Sequence, residues 1–120
     1  MEESEKRPYV LYLHPRQKRR GKVGGRVNGY ELEKHLRKEG ILERACSLNS
    51  KIVKGWIANP GTYPEELKTK EILLWGRFRF NIYWREVQYL CWLGSIIIVQ
   101  HRSLHDNFIS VQPALLEPVS

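Results

Sequence analysis

At 120 residues the chain has the length of one domain, and its 42% apolar and 11% aromatic content supplies enough core-forming side chains to exclude global disorder. No apolar run exceeds five residues, with Ile96–Val99 the longest purely aliphatic one, which excludes a helix of the roughly 20 apolar residues that span a bilayer; the acidic start Met1–Glu5 is unlike a secretory leader, so a cytoplasmic protein is expected. The formal charge is +7, and eight Lys/Arg with no Asp or Glu fall between Lys6 and Arg26, so the excess positive charge sits in one segment while the remainder is close to neutral.

Residues 1–27 read as a flexible basic arm, because like-charge repulsion and the glycines of 14–26 leave little to pack. Inside it, Tyr9–Leu13 is a β-prone run bounded by Pro8 and Pro15. It suits either a strand added to a sheet edge or a segment that docks on a partner.

A single α+β domain is expected over 28–120. Asn28 is a good N-cap, and Glu31 completes a capping box for a helix over Gly29–Lys38 with Leu32 and Leu36 on its buried stripe. Gly40 and Ile41 fit a Schellman ending. Asn49 or Ser50 starts a second helix with the apolar face Ile52, Val53, Trp56 and Ile57, and Pro60 stops it. Thr62 and Glu65 suggest another capping box and a brief helix through Lys68.

The period then changes to two. Over Glu71–Ile82 the positions Ile72, Leu74, Phe78, Phe80 and Ile82 form one face of a strand, and Gly76 marks a bulge or a close backbone approach. Gly94–Ser95 predicts a two-residue hairpin that pairs Leu93 with Ile96, Cys91 with Ile98 and Tyr89 with Gln100. Both faces of this hairpin are apolar, so each needs cover. The tail over Asn107–Ser120, with Pro113 and Pro118, is expected to wrap the surface. The resulting fold is α+β: two to three short N-terminal helices on a small antiparallel β-meander, with an SH3-like curl as one way to cover the hairpin. That likeness is architectural and carries no function.

Two groups of residues suit nucleic acid. Arg16, Lys18, Arg19, Arg20, Lys22 and Arg26 have the density that neutralises phosphates by counterion release, although a merely solubilising segment would look the same. Arg77 and Arg79, beside Trp84 and Arg85, resemble the stacking-and-clamp surface of single-strand binders, although such aromatics more often serve a core. The alternative is a protein-interaction module or homo-oligomer that uses the 87–100 hairpin or residues 9–13. Chemistry has little support. His101 and His105 are split between a strand end and the segment after it, and Ser103, His105 and Asp106 are too close in sequence to converge as a triad. No nucleotide, metal or nucleophile motif occurs, so neither a cofactor nor an enzyme is expected. Cys46 and Cys91 read as free thiols among apolar neighbours.

Overall fold

The computed structural model describes residues 7–18, 25–80 and 85–119, the side chains of 77–80 excepted. In chain order the elements are β1 (Val10–Tyr12), β2 (Val27–Asn28), α1 (Gly29–Lys38), α2 (Lys51–Ala58), β3 (Ile72–Phe80), β4 (Arg85–Trp92), β5 (Ile97–Ser103), β6 (Asn107–Phe108) and β7 (Ala114–Leu116). Single 3-10 turns lie at Leu42–Arg44, Pro60–Thr62 and Glu65–Leu67. One sheet has the order β1-β7-β3-β4-β5, and β2 pairs with β6 in a second, two-stranded sheet. Among the described residues the fold is α+β, with two α-helices and mixed sheets. The sheet is open, not an SH3-like barrel, and strands both precede and follow the helices.

α1 forms as its local chemistry requires. The Asn28 side chain accepts from the Glu31 N–H at 2.8 Å, and the Glu31 carboxylate returns a bond to the Asn28 N–H at 3.2 Å. At the other end Gly40 takes φ 72°, the Ile41 N–H reaches the Leu36 carbonyl at 3.0 Å, and the Gly40 N–H reaches that of Arg37 at 3.1 Å, a Schellman ending. α2 buries Val53 and Trp56 but leaves Ile57 exposed. The expected capping box at Thr62 does not form, because the Thr62 hydroxyl donates to the Asn59 carbonyl instead. Only 3-10 turns follow Pro60 and Pro64.

The hairpin has the expected register, with Cys91 opposite Ile98, Leu90 opposite Val99 and Tyr89 opposite Gln100. Gly94, at φ 75°, makes the turn. Away from the turn its two apolar faces are covered by different helices, while Leu93 and Ile96 beside the turn stay exposed. On the α2 side Tyr9, Val53, Trp56, Tyr63, Leu67, Ile72, Leu74, Leu90 and Leu115 form one core. On the α1 side Val27, Leu32, Leu36, Leu73, Trp75, Val87, Leu104, Phe108 and Ala114 form another. β3 is therefore buried on both faces from Ile72 to Trp75, not on one face as strict alternation implies.

Two sequence expectations change. The tail does not wrap the surface: Ala114–Leu116 is fully buried and inserts between β1 and β3, antiparallel to the first and parallel to the second. Its two prolines lie just outside the strand, where their missing N–H groups break no ladder bond. The described part of the N-terminal segment is not free either: Tyr9–Leu13 takes the sheet-edge alternative, with β1 pairing with β7 through Val10–Leu116, Leu11–Leu115 and Tyr12–Ala114.

Gly76 marks a close approach. A Cβ there would lie 2.8 Å from the Ala45 carbonyl oxygen and the Cys46 carbonyl carbon, and the Gly76 N–H donates to the Cys46 carbonyl at 2.9 Å. The obstacle is backbone, which does not yield like a side-chain tip. Gly76→Ala is expected to lower stability by about 2 kcal/mol in urea unfolding; an unchanged midpoint would show that the 45–46 segment relaxes freely.

Candidate functional site

The basic stretch is held at both ends. Before it, Tyr9 is buried against Trp56, with ring centroids 5.6 Å apart in an edge-to-face arrangement. The Tyr9 phenol donates to Glu66, and burial followed by that carboxylate pushes its pKa up to about 12. Arg7 pairs with the same carboxylate at 2.8 Å. Further along, residues 14–18 make a tight turn. The Gln17 N–H donates to the His14 carbonyl at 2.8 Å, and the Lys18 N–H to that of Pro15 at 3.3 Å. The Gln17 side chain is fully buried, accepting from the His14 N–H and donating to the Ile109 and Gln112 carbonyls at 3.0 and 3.1 Å. A buried amide with its groups satisfied in this way is an anchor.

After the stretch, Val27 is buried and pairs with Phe108, and Asn28 caps α1. The described residues on either side of 19–24, His14–Lys18 and Val27–Asn28, are therefore both fixed to the body.

The first of these flanks lies along α1. Arg16 pairs with Glu31 at 3.1 Å. The Glu31 carboxyl is held below its ordinary pKa, first by the Asn28 N–H and then by Arg16. One helical turn on, the His35 ring sits 4.3 Å from that of His14, and Tyr12 Oη lies 2.5 Å from His35 Nε2. His14 Nδ1 accepts from the Arg16 N–H at 2.9 Å, which fixes it as the unprotonated nitrogen.

The sequence-predicted residues have different fates. Lys18 and Arg26 are exposed, and among the described residues neither meets a carboxylate. Arg16 is half-buried and paired. Arg19, Arg20, Lys22 and Trp84 lie outside the described residues. Arg77 and Arg79 belong to β3; Arg79 stands opposite Glu86 in register, and Arg77 falls where the register shifts. Arg85 is part of the fold: its guanidinium holds both Glu33 oxygens at 2.8 and 2.7 Å, and Glu33 is buried on the inner face of α1. It is therefore withdrawn from the proposed stacking platform.

Sequence reading missed Lys34 and Lys38. With Glu31 and His35 they form one stripe of α1 on the side where residues 14–16 dock, and both are exposed. Their i,i+4 spacing was the available signal.

Away from this region lies an open groove of about 700 Å³, lined by Pro8, Lys51, Ile52, Trp56, Glu117 and Pro118 among others. Its hydroxyls serve local turns: Ser50 Oγ accepts from the Ser47 N–H, and Thr62 donates to the Asn59 carbonyl. Among the described residues no group of three or more His, Cys, Asp and Glu is placed to hold a metal ion.

Two outcomes are expected from these contacts. Glu33→Ala should leave the Arg85 charge half-buried without its bidentate acceptor and lower stability by about 2–3 kcal/mol, somewhat less than for a fully buried pair because Arg85 is 27% exposed; a loss below 0.5 kcal/mol, roughly that of a surface pair, would refute a structural role. The His14 pKa is depressed, first by burial and then by His35 and Arg16, with Glu31 opposing. The undocked segment therefore binds a proton more readily than the docked one, and docking weakens as pH falls through the ordinary histidine value of about 6.5. Amide exchange in β1 should accelerate between pH 7.5 and 5.5 beyond its intrinsic pH dependence, and equal protection would contradict this. No family model, curated protein or solved structure matches the chain.

Proposed function

We propose that this is a small nucleic-acid-binding accessory protein that grips phosphates with its basic N-terminal segment, whose described flanks are fixed to the body. The observation that carries this reading is electrostatic. Eight Lys/Arg and no acid fall between Lys6 and Arg26. Of those described, Arg7 and Arg16 are neutralised within the fold, while Lys18 and Arg26 stand exposed. Arg19, Arg20 and Lys22 lie between them in sequence, and Lys34 and Lys38 on α1 extend the positive surface.

Each phosphate neutralised releases condensed counterions, so affinity arises without base readout. Docking of Arg7, Arg16, Gln17 and Val27 on the body before binding removes part of the ordering cost that a wholly free arm would carry. The contacts are to backbone phosphates, so weak sequence preference and strong salt dependence are expected.

Replacing Lys18, Arg19, Arg20, Lys22 and Arg26 together with Gln is expected to weaken binding to a short duplex at least tenfold near 0.1 M salt. It should also flatten the plot of log affinity against log salt by about 0.9 for each phosphate that the variant no longer neutralises. Gln at Lys51 and Lys54, on α2, should change neither. Equal affinity and slope for the basic-segment variant and the native chain would end this reading.

A further inference from the structure

The two edges of the main sheet differ in a way that points to a partner. β1, at one edge, is three residues long and is bracketed by Pro8 and Pro15, common devices that keep an edge from pairing further. β5, at the other edge, runs for seven residues with no proline, lysine or bulge, and no other described element runs alongside its outer side.

The backbone polarity of β5 is set by its pairing. The Leu93 N–H donates to the Ile96 carbonyl at 2.9 Å, and the Leu104 N–H to that of Arg85 at 3.1 Å. Antiparallel ladders alternate, so the register turns the N–H and C=O of Ile98, Gln100 and Arg102 toward β4 and those of Ile97 and Val99 outward. The side chains of Ile97 and Val99 pack against the α2-side core. Ile98 faces the other way and belongs to neither core. It shares its face with Ile96, which is 51% exposed, and Leu93 opposite is 56% exposed. The hairpin end thus carries an apolar strip beside an open ladder.

We infer that a second copy of this chain pairs here, β5 to β5, antiparallel about a two-fold axis at Ile98. That register sets Ile97 of each chain opposite Val99 of the other, and each such pair exchanges both N–H···O=C bonds. It lays the two Ile98 side chains together on the axis and brings the two apolar strips into one surface. It also sends Arg102 of each chain to opposite ends of the interface, so like charges do not face. Parallel pairing would stack the basic ends. This self-complementarity of charge and apolar surface favours a second copy over a foreign strand. The inference does not depend on the basic segment.

Sedimentation velocity on the full chain should give twice the 14.2 kDa monomer mass at micromolar concentration. Ile98→Lys, which puts a charge on the axis without entering either core, should give a folded monomer. Val99→Pro removes an outward N–H that β4 does not use and replaces the valine in the α2-side core with an apolar ring, so it should also give a monomer, with some loss of stability from the changed packing. Amide exchange needs no variant: protection of Ile97 and Val99 should rise with protein concentration while that of Ile98 does not. A native chain that is monomeric at 100 µM, a folded variant that still dimerises, or Ile97 and Val99 exchange independent of concentration would each overturn the inference.

Discussion

Ala114, Leu115 and Leu116 are three consecutive apolar residues, and a strand of that kind must be covered on both faces. Much of the architecture depends on meeting this requirement. Leu115 enters the core under α2 and Ala114 the core under α1, so one short strand ties the two layers together. β7 is also the strand through which β1 joins the sheet, since among the described residues β1 pairs with no other strand of it. Without β7, the Tyr9–Trp56 contact and the Gln17 anchor would lose the strand that aligns them. Gln112, just before β7, takes part in that anchor: its carbonyl accepts from Gln17, while its side-chain oxygen accepts from the Ile109 N–H and its amide donates to Glu71.

This arrangement changes the character of the basic segment. A free arm would present its charge over a large volume, with full chain entropy to lose on binding. Here the flanks are held by β1 and the Gln17 turn on one side and by β2 and the α1 cap on the other, and the described residues His14 and Arg16 lie against α1. Electrostatics divides along the same boundary. Guanidinium groups near the body are taken up by Glu66, Glu31 and Glu33 at 2.7–3.1 Å, while Lys18 and Arg26 stay in water. Arg85 and Glu33 connect α1 to the start of β4, an ion pair that positions the helix over the α1-side core.

The sheet edges show the same economy of local devices. Prolines flank β1 and both ends of β7 at positions where no ladder bond needs their missing N–H, and the Pro113 carbonyl still accepts from the Leu73 N–H at 2.9 Å. β5 has none, and its apolar residues serve two surfaces at once. Ile97 and Val99 are needed inside, so the strand cannot be made polar on that face without loss to the α2-side core.

Local signals in the sequence determined local structure. The capping box, the Schellman glycine, the proline stop after α2, the hairpin register at Gly94–Ser95 and the tight approach at Gly76 were all legible, because each depends on neighbours within a few residues or on glycine's missing side chain. The concentration of charge over 6–26 was legible for the same reason: charge is a property of composition. What the sequence could not show was which distant segments meet. Tyr9–Leu13 reads as a β-prone run without a known partner and Ala114–Leu116 as part of a proline-bearing tail until they are paired, since each is too short to hold a structure alone and becomes a strand only when the other covers it. Arg85 reads as a ligand-facing cation until Glu33, 52 residues earlier, is brought beside it. Burial on both faces of β3 likewise came from placing α1 and α2 on opposite sides of one sheet, a long-range arrangement that no local periodicity encodes.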